Sequence, residues 1–286
     1  MTPQLFLQMF FNALTLSAEY ILVALGLTII FGIMHIVNFA HGELYMLGGF
    51  GIYVFNMRLG LNYFLAMAIA VVIVTIIGIF MERYFFRRFG RDILPVFIVG
   101  LGFVLIFQNA VMLIFGPNFR QRGAVFAGSL NILGARTTVE RAVVVAFAAV
   151  LVLSVILFIQ RTKIGRSMRA VEQDAEAASL MGISIGGIRS LCMGIGCAVA
   201  AVAGGLMFPV FGADPWVGAP LVMRSFMVII LGGMGSVPGA ILGGLLVGFV
   251  EAYLSFLWNP MWALLVAFSL VILILVVRPR GLLGHA

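Results

Sequence analysis

Apolar residues run unbroken along most of this chain, in stretches that match the thickness of a bilayer. A helix needs about 20 such residues to cross the hydrocarbon. The pattern reads as spans at 10–33, 62–80, 93–115, 141–159, 190–210 and 261–277, with a shorter segment at 43–57. The stretch 220–258 is also apolar, but Gly232, Gly233, Gly235 and Pro238 interrupt it, so it reads as two short helices. Polar residues collect in a basic stretch at 82–91, a loop at 116–140, a loop at 161–189 and a tail at 278–286. The 116–140 loop carries Gly, Pro, Asn and Thr and reads as a hairpin or short turns. Strands of a membrane barrel would alternate over about 10 residues, and runs such as 142–159 and 262–277 do not. The expected fold is all-α: one polytopic transmembrane helix bundle over 1–286, with about eight spans plus short broken or re-entrant helices.

Composition supports that reading. Hydrophobic residues make up 63% of the chain and charged residues 9%, with a mean hydropathy of +1.21. A soluble domain carries about 25% charged residues, so most of this surface faces lipid, where backbone polar groups must be satisfied within helices or a closed barrel. The net charge of +7 fits the Lys/Arg excess of cytoplasmic loops. A nucleic-acid role would need a basic patch on a soluble face, and no soluble domain is long enough to carry one. Arg83, Arg87, Arg88, Arg91, Arg161, Lys163, Arg166, Arg169, Arg189, Arg278 and Arg280 fall on one side. Arg58, Arg120, Arg122, Arg136, Arg141 and Arg224 fall on the other, eleven against six. This places 161–189 in the cytoplasm and the N-terminus outside, provided that 220–258 enters and returns or crosses twice. No Lys or Arg precedes Arg58 and no small-residue cleavage site follows a short apolar core, so the first segment is expected to stay as a membrane helix. Cys192 and Cys197 read as core thiols, and Trp216, Trp258 and Trp262 as interfacial anchors.

Chemistry narrows the classes further. Lys163 is the sole lysine and stands in Thr-Lys-Ile. A phosphate-binding loop needs Gly-Lys-Ser/Thr after a glycine-rich turn, so ATP-driven work would have to come from a partner. The three histidines, His35, His41 and His285, form no His-Glu-x-x-His pattern. With no nucleophile–base or metal constellation in view, the chain reads as non-catalytic and without a metal. The longest polar stretch on the proposed inner face is 166–183. Asp174 and Glu176 suit a helix start and Gly182 a helix stop, with Ala175, Ala178 and Met181 on one face between them. Spacing alone leaves two readings: an ordinary interfacial helix, or an amphipathic element that docks in a partner's groove.

Here the chain resembles a known family. Glu176-Ala177-Ala178, with Gly182 after three more residues, is similar to the EAA loop of bacterial importer permeases. Residues 30–49, Ile-Phe-Gly-Ile-Met-His-Ile-Val-Asn-Phe-Ala-His-Gly-Glu-Leu-Tyr-Met-Leu-Gly-Gly, resemble the branched-chain amino-acid (LivH-type) ABC permease family. So do residues 231–244, Leu-Gly-Gly-Met-Gly-Ser-Val-Pro-Gly-Ala-Ile-Leu-Gly-Gly. The resemblance covers nearly the whole chain, although the Leu-Pro that often closes the EAA motif does not follow Ile188. It implies a bacterial inner-membrane subunit working beside a homologous second permease (LivM-like), two cytoplasmic ATPases that carry ATP-Mg, and an external solute-binding protein. It also implies that Glu172, Asp174, Glu176, Ala177, Ala178, Met181 and Gly182 form one helix and loop that receive an ATPase. Related permeases carry urea, short amides or aromatic acids. A stand-alone channel or secondary carrier is the reading of another class, and it needs no docking helix.

The interrupted segments 38–49 and 232–244 are the remaining candidates. Short glycine-broken helices in corresponding halves point to a transport site. The backbone groups that they free suit a zwitterionic solute, and Gly48, Gly49, Gly243 and Gly244 equally suit close helix packing. Asn38, His41, Glu43, Tyr45, Gly235, Ser236 and Gly239 are the solute-pathway candidates. Against that stands a wetted interfacial turn in which Asn38 and Glu43 cap the next helix. Glu19 and Glu251, inside apolar spans, are expected to pair with neighbouring polar groups.

Overall fold

The computed structural model describes residues 3–89, 92–132 and 134–284. Arg91 and His285 lie outside the described residues. Helices account for nearly all of the fold. They are α1 (Pro3–Met34), α2 (His41–Ile52), α3 (Tyr63–Met81), the single turn α4 (Arg87–Phe89), α5 (Ile93–Phe115) and α6 (Val139–Arg161). After them come α7 (Lys163–Gln173), α8 (Ala175–Leu180), α9 (Ile185–Phe211), α10 (Gly218–Gly232), α11 (Val237–Leu257) and α12 (Pro260–Val277). Wider π-helical turns continue α2 over Tyr53–Arg58 and α3 over Glu82–Phe86. Among the described residues seven helices are long and apolar enough to cross a membrane; α10 is apolar but shorter.

Local chemistry sets the boundaries. The side chains of Asn62, Thr138, Thr162, Asp174, Ser184, Ser236 and Asn259 each accept a backbone N–H at the start of the helix they precede. Such caps satisfy donors that have no partner within the helix. Pro238 and Pro260 stand in the first turns of α11 and α12, where a missing N–H costs nothing.

The helices divide into a buried centre and a lipid-like rim. The most apolar windows of α1 and α9 are 83% and 78% buried, those of α5, α6 and α12 only 11–17%. The centre is close-packed because glycines let backbones touch. A Cβ on Gly204 would come within 2.0 Å of the Tyr45 carbonyl oxygen, and one on Gly48 within 2.3 Å of the Ala201 carbonyl oxygen. Backbone on both sides leaves nothing that can rotate away. Gly204→Val is therefore expected to force α2 off α9, at a cost of about 1–3 kcal/mol, read as a lower unfolding temperature in detergent.

The ends of α1 identify the two faces. Near its start, Asn12 accepts from Arg141 and Gln4 packs on Gly134 of the hairpin between β1 (Ser129–Ile132) and β2 (Ala135–Thr138). Near its other end, Gly32 faces Glu172 of α7. The 116–140 and 161–189 loops thus lie at opposite ends. The Glu172 end also holds Arg87, which bonds to the Gly186 carbonyl, and the tail, whose Leu282 and Leu283 amides donate to Leu231 and Gly232. The basic residues of α4, α7 and the tail gather there, which makes it the end that the charge rule assigns to the cytoplasm. Helices α10 and α11 pack against each other, which supplies the pair of segments that the orientation requires.

Two expectations change. Arg224, counted with the outer-side charges, lies on α10 in a partly buried ion pair with Glu251. Residues 172–181 are not one helix either. Asp174 is extended (φ −154°, ψ 106°) and separates α7 from α8.

Candidate functional site

At the cytoplasmic end, α7 and α8 form a bent pair. Helix α7 is anchored from below. It buries Met168 and Val171, its Arg169 guanidinium donates to the Ile159 carbonyl, and Gly165 stands against the same carbonyl. Asp174 then caps α8, its Oδ1 accepting from Glu176 N at 2.9 Å and Ala177 N at 3.0 Å. An acid at a helix start also meets the positive end of the helix dipole. Gly182, with φ +82°, ends the unit in the left-handed conformation that favours glycine. The expected apolar face is not buried as a unit, because α8 ends at Leu180 and Met181 lies beyond it. Ala178 is buried at 5%, whereas Met181 is 82% and its neighbour Leu180 87% exposed. Glu176 and Ala177 are exposed as well. The unit therefore presents a small apolar knuckle, Leu180–Met181, beside a carboxylate. Glu172 is not on this knuckle; its carboxylate lies against Gly32 and Gly235.

In the membrane centre the first candidate group is fully buried. Asn38, His41 and Glu43 are each 0% exposed and Tyr45 2%, so the wetted interfacial turn is excluded. Neither Asn38 nor Glu43 caps α2: the residue at its start is Ala40, whose N–H donates to Asn38 Oδ1 at 3.1 Å in a turn ahead of the helix. Glu43 Oε1 instead accepts from Gln108 of α5 at 2.9 Å. Its Oε2, Asn38 Nδ2 and both ring nitrogens of His41 have no hydrogen bond of ordinary geometry. His41 faces Gly26 of α1, while Glu43 faces the start of α10, where Gly42 and Gly218 touch backbone to backbone. Two short helices thus begin beside the Glu43 carboxyl group.

Tyr45 donates to Glu19 at 2.5 Å. Tyr20, one residue further along α1, donates to Glu251 of α11 at 2.7 Å, and Arg224 of α10 donates to the same carboxylate at 2.9 Å. Glu19 and Glu251 thus find the polar neighbours expected for them, and together these pairs fasten α1 to α2, α10 and α11.

Gly235, Ser236 and Gly239 are placed elsewhere. Gly235 and Ser236 lie in the turn between α10 and α11 at the cytoplasmic end and Gly239 in the first turn of α11, with Gly235 at φ +87° and Ser236 Oγ accepting from Gly239 N at 3.1 Å. The nearest atoms to Gly235 belong to Gly32 and Glu172, and Gly239 packs on Gly232. The two interrupted segments do not converge into one site.

A family model described as the branched-chain amino acid transport system / permease component matches residues 9–276. This chain belongs to that family. The permease is 36% identical to the high-affinity branched-chain amino acid transport system permease protein LivH of Escherichia coli (strain K12), across 98% of this chain and 96% of that one. It is 33% identical to BraD of Pseudomonas aeruginosa, a permease protein of the same description, with the same coverage. A second permease of the E. coli system, LivM, is 25% identical over 94% of this chain and 68% of its own length. PsaBC from Streptococcus pneumoniae, solved in complex with a Fab, shares the fold at TM-score 0.51 and 14% identity, over 94% of this chain and 91% of that one. The chain is a multi-pass permease subunit of an ABC importer.

Four features of this permease escaped the sequence reading. Gln108 stands beside Asn109 in a long apolar span, and Tyr20 is one of many aromatics, so neither points to a partner without the fold. Arg224 carried a signal, a lone charge inside an apolar run, which normally faces the bundle interior and has a partner. The second ion pair, Glu82–Arg87, was hidden in a basic stretch. Glu82 is 0% exposed, and Arg87 reaches it at 2.6 Å while also bonding to Gly186 and Ser190 of α9.

Proposed function

We propose that this permease imports branched-chain or other hydrophobic amino acids across a bacterial inner membrane by alternating access. It works beside a homologous second permease. Two cytoplasmic ATPases bind ATP-Mg and drive the cycle, an external binding protein delivers the solute, and this subunit catalyses no reaction itself. The observation that carries the reading is the exposed Leu180–Met181 knuckle on the capped helix α8. A rigid apolar projection at the cytoplasmic end suits a groove on a partner. The names of the relatives support the solute class.

The test is uptake into vesicles holding the permeases, ATPases and binding protein. Labelled leucine accumulates only with ATP inside, and an excess of urea, a short amide or an aromatic acid does not compete. Leucine flux through the permease without ATPases would make it a channel or carrier instead.

Asn38, His41, Glu43 and Tyr45 form a wall of the passage that opens when α10 separates from α2, and Gly235, Ser236 and Gly239 form the pivot of α10. Selectivity then resides mainly in the binding protein. Glu43→Gln is expected to slow uptake of leucine, isoleucine and valine severalfold by a common factor. A changed preference among the three, measured in the same vesicles, would instead reveal a solute site in the permease.

A further inference from the structure

Glu172 is exposed at the same end as the Leu180–Met181 knuckle but is not part of it. It lies in the last turn of α7, and its Oε1 is 3.3 Å from where a Cβ on Gly32 would stand and 3.9 Å from the same point on Gly235. Two separate elements meet its carboxylate there: the last turn of α1 and the turn between α10 and α11. That second turn bends at glycine. Gly233 and Gly235 hold φ of +106° and +87°, values that glycine adopts without strain. The tail grips the end of α10 through the Leu282 and Leu283 amides. Between α7 and the α10–α11 turn lies a cavity of about 50 Å³, lined by Thr28, Gly32, Met168, Arg169, Glu172, Gly235 and others. The Thr28 hydroxyl is buried with no partner. The junction therefore has room for Glu172 to shift, whereas the backbone contacts between α2 and α9 leave none.

We infer that Glu172 is the positioning residue that passes movement of a docked ATPase from α7 and α8 to the α10–α11 pivot. Helix α8 receives the movement at Leu180–Met181. The extended residue Asp174 passes it to α7. The anchored body of α7 turns about its contacts with Ile159, and Glu172 then presses on Gly32 and Gly235. This inference rests on the docking reading above, and it assigns to Glu172 a task distinct from docking.

The test uses the complete transporter in vesicles, with ATP hydrolysis, solute uptake and ATPase retention measured on the same preparation. In Glu172→Ala, uptake per ATP hydrolysed falls about tenfold, within the range for a residue along a coupling chain, while hydrolysis and ATPase retention stay near the parent values. Glu172→Gln, of equal length, keeps most of the uptake. Parent-like uptake in Glu172→Ala overturns the inference. So does a parallel loss of hydrolysis and uptake, or loss of the ATPases, which would make Glu172 a docking or folding residue. If Leu180→Asp with Met181→Asp still retains the ATPases, the docking reading fails, whatever the Glu172 variants show.

Discussion

A permease carrying Leu180→Asp and Met181→Asp is expected to reach the membrane folded and to lose its ATPases. Both side chains are more than four-fifths exposed, so charging them leaves the fold intact. Within a docked groove they would be fully desolvated, and a buried apolar anchor contributes about 2 kcal/mol or more to an interface. Charging two anchors at once should lower ATPase affinity by about 100-fold or more, read as ATPases missing from the purified complex and as uptake at background. Ala178→Asp is a poorer probe. Ala178 is buried and its carbonyl accepts from Ile183 N, so a carboxylate there disturbs α8 itself and confounds docking with folding.

The second large effect is on stability. Arg224→Ala is expected to destabilise the permease by about 3 kcal/mol, because it strands the Glu251 carboxylate between α1 and α11 with no cation beside it. Glu251→Ala should cost less, because Arg224 is partly exposed and still donates to the Pro220 carbonyl. The double variant Arg224→Ala with Glu251→Ala should be less damaging than the sum of the two, since it leaves Tyr20 alone short of a partner. Thermal unfolding of the four proteins in one detergent closes the cycle. Strict additivity would show that the pair contributes nothing as a pair.

The comparison of sequence with structure separates what apolar pattern encodes from what contact encodes. Span boundaries were legible because lipid enforces length and caps enforce ends. The span read at 93–115 coincides with α5, and the interruption at Gly232, Gly233, Gly235 and Pro238 is the break between α10 and α11. The outer hairpin was legible from its turn residues. The break at Asp174 was not, because an acid serves equally well in the first turn of one helix or as the cap that divides two. The polar centre was half legible. Asn38, His41, Glu43, Glu19 and Glu251 announced themselves by polarity in apolar runs. Their partners depend on which helix faces which, and that is set by glycine contacts such as Gly42 with Gly218, between positions 176 residues apart.

The uneven burial of the helices has a consequence for how the chain is made. Helices α3, α5 and α6 are mostly uncovered by their own chain and are at home in lipid as they leave the ribosome. Helix α1 is the reverse. It precedes its main partners, is 83% buried in its most apolar window, and packs chiefly on α9, α10 and α11, which come much later in the chain. Glu19 finds Tyr45 only 26 residues on, but Tyr20 waits for Glu251, 231 residues further along. An unfinished chain therefore exposes the seam of α1 to the bilayer and to any protease or insertase there. Substitutions in α9–α11 should consequently reduce the amount of permease that accumulates well before they alter the properties of the molecules that mature.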